Sequence, residues 1–196
     1  HMIVLKYPES LRKMYGDLDY QGELDFLTSH DPRNKFITNL VADLKGNSLV
    51  LYQFVEKHGE PLFEMIKKKL AGTKRKVYFV SGDVEAEERE RIRNLVEKEE
   101  GAVIVASVGT FSTGINIRNL HNIVFASPTK SQIRVLQSIG RGLRKTEDDR
   151  KTTVYDIADD LSKKGNKNYT LQHGIERAKI YTKEKFDFEV HEVPIS

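Results

Sequence analysis

Apolar residues in the middle of the chain fall into short continuous runs, and stretches with a helical pattern separate these runs. The runs are rich in β-branched and aromatic side chains, which is typical of buried strands. The predicted strands lie at residues 48–55, 77–80, 102–107, 122–127 and 152–157. Continuous rather than alternating apolar character indicates strands that are covered on both faces.

Between the strands, apolar residues recur at three- and four-residue spacing, the period of one face of an α-helix. Asp31 is predicted to cap a first helix, which begins at Pro32 and continues to residue 44. The other predicted helices lie at residues 62–70, 85–100, 131–144 and 169–185, and a strand-like end follows at 188–193. Alternating strands and helices predict an α/β fold, in which a parallel sheet carries helices on both faces.

The same pattern divides the chain into three predicted parts. Residues 1–46 form an N-terminal linker and helical segment, and residues 47–160 form the α/β domain. Residues 161–196 begin with the polar and basic stretch SKKGNKN and form a helical extension that packs on the same domain.

Composition excludes several classes of protein. Hydrophobic residues make up 38% and charged residues 31%, as in an ordinary globular domain, and the absence of cysteine excludes disulfides and thiolate catalysis. No apolar run approaches the roughly 20 residues that cross a bilayer, so we expect a soluble, cytoplasmic protein without a membrane partner. His1-Met2 is typical of a junction left by tag removal, which indicates a fragment of a longer protein.

Ligands of open parallel sheets collect beyond the carboxyl ends of the strands, so the segments that leave the strands are candidate sites. Ser81-Gly82-Asp83 follows the second predicted strand, and its glycine permits close approach of a phosphate. Ordinary strand-to-helix punctuation explains the same residues. A loop after the third strand is dense in small hydroxyl and glycine residues that suit phosphate oxygens, although a flexible connector has the same composition. Its members are Ser107, Gly109, Thr110, Gly114 and Asn116.

The third candidate is the predicted helix that ends in QSIGRGLR. At 100° per residue, Gln137, Arg141 and Arg144 fall within about 60° of one another, and the apolar residues lie on a different face. Guanidinium groups without an acidic neighbour suit phosphate, and Gly140 and Gly142 clear space for it. A solvated basic helix face is the alternative, but each glycine inside a helix costs about 1 kcal/mol relative to alanine.

Together, these segments resemble the motifs of the second RecA-like domain of superfamily 2 helicases. QSIGRGLR is similar to the family's Q-x-x-G-R-x-x-R, STGIN resembles its G-I-D/N segment, and SGDVEAEER resembles the segment between these motifs and the first strand. The resemblance covers about residues 48–157 and extends to phage recombination helicases that remodel branched DNA. It implies a RecA-like fold and a role as the C-terminal motor domain of an ATP-dependent DNA helicase.

The resemblance also implies roles for individual residues. Arg141 and Arg144 would reach the γ-phosphate of ATP across a cleft, and Gln137 would position them. Gly114 and Asn116 would couple nucleotide to nucleic acid, with Gly140 beside the nucleotide. Ser81, Gly82, Ser107, Gly109 and Thr110 would contact the nucleic acid.

One half of such an active site is missing from the sequence. It contains no G-x-x-x-x-G-K-[ST] loop and no D-E-x-x box downstream of one. The resemblance therefore implies that an N-terminal RecA-like domain holds most of ATP and Mg²⁺, and that this chain alone is inactive.

Other functions remain open at this stage. A stand-alone nucleic-acid-binding module would use the basic helix without an ATP cycle, and an RNA helicase domain would carry the same motifs. A nucleotide-dependent transferase is disfavoured because no glycine-rich fingerprint follows the first strand. Weak, salt-sensitive DNA binding by this chain is expected from the 107–110 loop and a basic tail. The tail comprises Lys163, Lys164, Lys167, Arg177 and Lys179.

Overall fold

The computed structural model describes residues 1–82, 85–112, 119–128 and 151–196. These residues contain a seven-stranded sheet in which all neighbouring strands are parallel. The strands are β1 (Met2–Lys6), β2 (Ser48–Tyr52), β3 (Val77–Val80), β4 (Val103–Ser107), β5 (Asn122–Phe125), β6 (Thr153–Asp160) and β7 (Val190–Pro194). Their order across the sheet is β3-β4-β2-β5-β6-β1-β7.

The described helices include those predicted near residues 32–44, 62–70, 85–100 and 169–185, together with three that were not predicted. The described helices are α1 (Glu9–Tyr15), α2 (Tyr20–Ser29), α3 (Asp31–Asp43), α4 (Glu60–Leu70), α5 (Ala86–Glu97), α6 (Val108–Ser112) and α7 (Tyr169–Lys183), and a π-helical turn (Val55–Gly59) precedes α4. Asp31 is the first residue of α3 rather than its cap, because His30 holds the capping position. The predicted helix at 131–144 lies outside the described residues.

The core consists of two apolar layers, one on each face of the sheet. Successive side chains of a strand point to opposite faces, so Leu49 and Leu51 enter one layer while Val50 enters the other. Helices α2, α3 and α4 cover the face of Val50, and α5 and α7 cover the opposite face. Each fully buried aliphatic side chain contributes about 1.5–3 kcal/mol. The predicted α/β fold with helices on both faces is confirmed.

The two ends of the chain lie together in the sheet. Strand β1 lies between β6 and β7, with Ile3 opposite Ile157 on one side and His191 on the other. The prediction of residues 1–46 as a linker and helical segment omitted this strand. The C-terminal extension likewise adds both a helix and the edge strand β7 to the same sheet. The boundaries proposed at residues 46 and 160 stay predictions.

Carboxylates of β6 tie neighbouring elements to the sheet. Asp156 accepts hydrogen bonds from Arg177 Nε and Nη2 at 2.8–3.0 Å and from the Tyr181 hydroxyl at 2.5 Å. Asp159 binds Arg33 through both carboxylate oxygens at 2.8 and 3.0 Å. Because Arg177 is fully buried against Asp156, its predicted contribution to DNA binding is wrong.

Candidate functional site

The segments that follow β3 and β4 leave the sheet side by side. Val80 is opposite Ala106 in the parallel register, so the next residues, Ser81 and Ser107, occupy adjacent positions at the carboxyl edge. Ser81 is largely buried, whereas the following Gly82 is exposed and has open space around its Cα. The structure therefore brings together two segments that the sequence singled out separately.

A hydroxyl pair shapes the turn after β4, which is the first turn of helix α6 and not the loop that the sequence predicted. The side-chain oxygens of Ser107 and Thr110 lie 2.6 Å apart, and the Thr110 amide donates to the Ser107 oxygen at 3.3 Å. A Cβ added to Gly109 would meet nothing within 4 Å, so a ligand can approach the backbone there. Hydroxyl groups and open backbone of this kind suit the phosphate oxygens of a nucleic acid.

Tyr52, at the end of β2, fixes the neighbouring part of the edge. Its hydroxyl donates to the Val80 carbonyl at 3.1 Å, and its ring stacks on Phe79 at 5.5 Å. Gly59 of the π-helical turn packs on this ring so closely that an added Cβ would lie 2.5 Å from it. These contacts hold the strand ends that carry Ser81 and the turn after β4.

Sequence analysis did not single out Ser127, which follows β5 at the same edge. Its hydroxyl is buried and has no hydrogen-bond partner within the described ranges. The preceding carbonyl, that of Ala126, accepts a hydrogen bond from Arg33 Nη1 at 2.8 Å. Ser127 could have been selected from the sequence, because it is a small polar residue directly after a predicted buried strand.

The residues predicted to face the nucleotide cannot be placed in this geometry. Gly114, Asn116, Gln137, Gly140, Arg141 and Arg144 all lie outside the described residues. Their flanks are described: the chain leaves the carboxyl end of β5 before residue 129 and enters the amino end of β6 after residue 150.

His58 lies beneath this edge in the π-helical turn and is fully buried. Its Nε2 lies 3.1 Å from the side-chain oxygen of Asn34, and its Nδ1 has no hydrogen-bond partner in the described part of the chain. Burial, reinforced by the charge of Arg33, lowers the pKa of His58 to about 3. The imidazole is therefore neutral in the folded protein at ordinary pH.

This neutral histidine predicts a pH-dependent loss of stability. Because histidine titrates near 6.5 when unfolded, its contribution is complete above pH 6.5 and is lost as the pH falls towards 3. Between pH 7 and 5, wild type should lose about 2 kcal/mol more of its free energy of unfolding than His58→Gln. Urea denaturation at both pH values measures the difference. Equal losses in the two proteins would contradict the prediction.

The basic tail divides into engaged and unengaged lysines. Lys163 forms an ion pair with Asp17, and Lys179 lies 3.1 Å from Glu176. Lys164 and Lys167 are exposed, and neither forms an ion pair with another described residue. They follow the carboxyl end of β6, at the same edge as the turn after β4.

A possible metal-ligand group lies at the opposite edge of the sheet. The ligand atoms of His1, Glu189 and His191 lie within 4.8 Å of one another on the exposed surface, where β1 and β7 begin. This position separates the group from the predicted phosphate-binding segments. Among the described helices, none has the length and apolar character to span a membrane.

Comparisons with known proteins agree with the resemblance of the motifs. Residues 33–146 match the family described as helicase conserved C-terminal domain. The ATP-dependent DNA helicase UvsW of Enterobacteria phage T4 is 39% identical over 199 residues, which cover 95% of this chain and 39% of that protein. The crystal structure of T4 UvsW has a TM-score of 0.83 at 38% identity and covers 98% of this chain and 41% of that chain.

A more distant likeness shows the fold alone. The Sulfolobus solfataricus SWI2/SNF2 ATPase core domain has a TM-score of 0.54 at 15% identity, over 94% of this chain and 43% of that one. The chain thus spans about two fifths of the length of these relatives.

Proposed function

The chain belongs to the helicase conserved C-terminal domain family, and we propose that it is the C-terminal motor domain of an ATP-dependent DNA helicase that acts on branched DNA in recombination and repair. The match over residues 33–146 carries this proposal, because it includes the segment from Gln137 to Arg144. The identity to the phage DNA helicase over 95% of the chain supports DNA as the track.

In this proposal the carboxyl edge serves both nucleotide and nucleic acid. Arg141 and Arg144 act as arginine fingers on the γ-phosphate and Gln137 positions them, while Gly114, Asn116 and Gly140 line the nucleotide. The nucleic-acid backbone lies on Ser81, Gly82, Ser107, Gly109 and Thr110. The segments that follow β3 and β4 are adjacent and carry small residues with open space at Gly82 and Gly109. This arrangement supports the proposed contact with the nucleic-acid backbone.

The rest of the machinery belongs to an N-terminal RecA-like domain of the full-length protein. That domain would hold Mg²⁺, most of ATP and the attacking water, and closure onto this chain would bring Arg144 to the phosphate. Repeated closure and opening would then move the motor along a DNA strand. The proposed location is the cytoplasm of a phage-infected host cell.

We expect the isolated chain to show no ATPase activity, with or without DNA. An arginine finger stabilises transferred charge but holds neither the metal nor the water, and the sequence has no phosphate-binding loop. The measurement is phosphate release by the purified 196-residue chain, with the Arg144→Ala chain as the matched baseline. Turnover that survives rigorous purification and falls in Arg144→Ala would sink the proposal.

A stand-alone nucleic-acid-binding module is the second candidate, and the exposed Lys164 and Lys167 favour it. A module would bind nucleic acid identically with and without an ATP cycle in the full-length protein. Loss of ATP turnover without loss of DNA affinity in an Arg144 variant separates the two functions.

A further inference from the structure

We propose that the turn at residues 161–168 and the ring of Tyr169 form a binding surface for single-stranded nucleic acid. Phosphates lie on Lys164 and Lys167, and one base stacks on Tyr169. The inference rests on the proposed function for the contact with nucleic acid and adds its position and strandedness. Lysines beside an exposed aromatic ring favour single strands, because only unpaired bases offer a free π-face.

The tip of the turn is held in a fixed conformation. Lys163 and Asn166 exchange both backbone hydrogen bonds at 3.0 Å, which closes a two-residue turn on Lys164 and Gly165. Gly165 has a φ of 81°, in the left-handed region that the second central residue of a type II turn requires. The ion pair of Lys163 with Asp17 fastens the turn to the segment before α2. Lys164 is therefore presented at an exposed tip without a large ordering cost on binding.

The base of the turn is pinned just as firmly. The buried Asn168 accepts a hydrogen bond from the Leu161 amide at 3.0 Å and donates to Glu23 at 2.6 Å. Glu23, buried within α2, also accepts from the Tyr169 amide at 3.0 Å. The Gln172 side chain donates to the Lys167 carbonyl at 2.7 Å, so the backbone of the second lysine is fixed as well.

Tyr169 is the aromatic residue among the exposed large apolar residues of the described chain. It remains 46% exposed, although most large apolar side chains of the described chain are buried. Tyr20 packs against it at 6.0 Å between centroids and 63° between planes. Tyr20 is itself held edge-on against His173 at 5.1 Å. Nearly half of the surface of Tyr169 is thus exposed, and we propose that a base stacks on the exposed part of its ring.

Lysines other than Lys164 and Lys167 offset two of the nearby carboxylates. Asp17 pairs with Lys163, and Asp160 accepts from Lys6 at 2.5 Å. Glu23 is buried and accepts hydrogen bonds at the start of α7, so its carboxylate does not reach the surface that carries the two lysines. The charges of Lys164 and Lys167 are left without an ion pair in the described ranges, as phosphate contacts require.

The surface extends the phosphate-binding edge in the direction of β6. Strands β4 and β6 are separated by β2 and β5, a lateral spacing of about 14 Å at ~4.8 Å per strand, and β6 continues three residues past the level of Ser107. The two carboxyl ends are therefore about 17 Å apart, a distance that about five nucleotides span at ~3.4 Å each. One short strand can therefore contact the turn after β4 and Tyr169 together.

The test measures binding of short single-stranded DNA carrying 2-aminopurine to the 196-residue chain, by anisotropy and by quenching, over a series of salt concentrations. The variants are Tyr169→Ala, Tyr169→Phe and the double variant Lys164→Ala/Lys167→Ala. The matched control is Lys68→Ala/Lys69→Ala, which removes exposed lysines from the end of α4 that faces the opposite edge. Thermal unfolding verifies that each variant is folded.

We expect Tyr169→Ala to weaken binding on the order of tenfold and to abolish quenching, while Tyr169→Phe stays near wild type because it keeps the ring. The double lysine variant should lower the slope of log K against log salt by about 1.4, that is, about 0.7 for each phosphate contact. The control should change neither quantity.

Four results would overturn the inference. They are no binding by wild type at low salt, equal binding by wild type and Tyr169→Ala, tighter binding of a duplex of the same sequence in the same assay, and equal losses in Tyr169→Ala and Tyr169→Phe, which would assign the effect to the hydroxyl. None of these results changes the ATPase assignment of Arg144, which is measured separately in the full-length protein.

Discussion

Replacing Arg144 with alanine in the full-length protein is expected to lower ATP turnover by at least about a hundredfold. Arginine fingers contribute on the order of 10³ to 10⁵ in turnover, and the neighbouring Arg141 can substitute only in part. The expectation follows from the sequence, in which a predicted helix would place Gln137, Arg141 and Arg144 on one face. DNA affinity without ATP should survive, because the guanidinium is proposed to face the nucleotide.

Two further variants make this experiment decisive. Arg144→Lys should recover little turnover, since an ammonium group lacks the planar fork that binds phosphate oxygens in pairs. Arg91→Ala removes an exposed arginine of α5 that pairs with Glu88, and it should retain wild-type turnover. Near-normal hydrolysis together with lost DNA affinity in Arg144→Ala would refute the finger assignment and favour the binding module.

The central strands could be predicted because each is covered on both faces. Strands β2 and β4 are continuous apolar runs, and their buried positions alternate between the two core layers. Strand β1 escaped prediction although it is equally apolar. Its partners in the sheet, β6 and β7, lie more than 150 residues away along the chain, and no local pattern announces such pairing.

At the candidate site, too, the sequence predicted individual segments but not their relative positions. Composition marked Ser81 and Ser107 separately, but only the order of the strands shows that they leave the sheet side by side. The positive charge of Arg177 led to a wrong prediction of DNA binding. The sequence shows that an arginine is present, but it does not show that Arg177 is buried in an ion pair with Asp156. The contacts that hold the backbone at Tyr169 could not be predicted either, because Glu23 accepts hydrogen bonds at the start of α7 from a helix that is distant in sequence.

The roles of Gln137, Arg141 and Arg144 depend on motif resemblance and on the family match, since these residues lie outside the described ranges. Their proposed chemistry requires a second domain that holds ATP on the other side of a cleft. The nucleotide side of the site therefore stays a prediction for the full-length protein.

Asp159→Asn is expected to lower the free energy of unfolding by about 3–5 kcal/mol, because it leaves the guanidinium of Arg33 buried without its counter-ion. Both side chains are fully buried, and Tyr7 also donates to Asp159 at 2.8 Å. The control is Glu176→Gln, which breaks an exposed pair with Lys179 and should cost about 1 kcal/mol or less. Urea denaturation with an unchanged m-value measures both losses.

The double variant Arg33→Met/Asp159→Leu separates the cost of an orphaned charge from the value of the pair itself. Replacing both partners by apolar side chains removes the unpaired charge but also takes the acceptor from the buried Tyr7 hydroxyl, so only part of the stability lost in Asp159→Asn should return. The backbone at the edge should nonetheless loosen, because Arg33 also donates to the Ala126 carbonyl at 2.8 Å, one residue before Ser127. Hydrogen exchange of the amides after β5 would detect this loosening. If the double variant were as unstable as Asp159→Asn, an orphaned charge would not account for the loss.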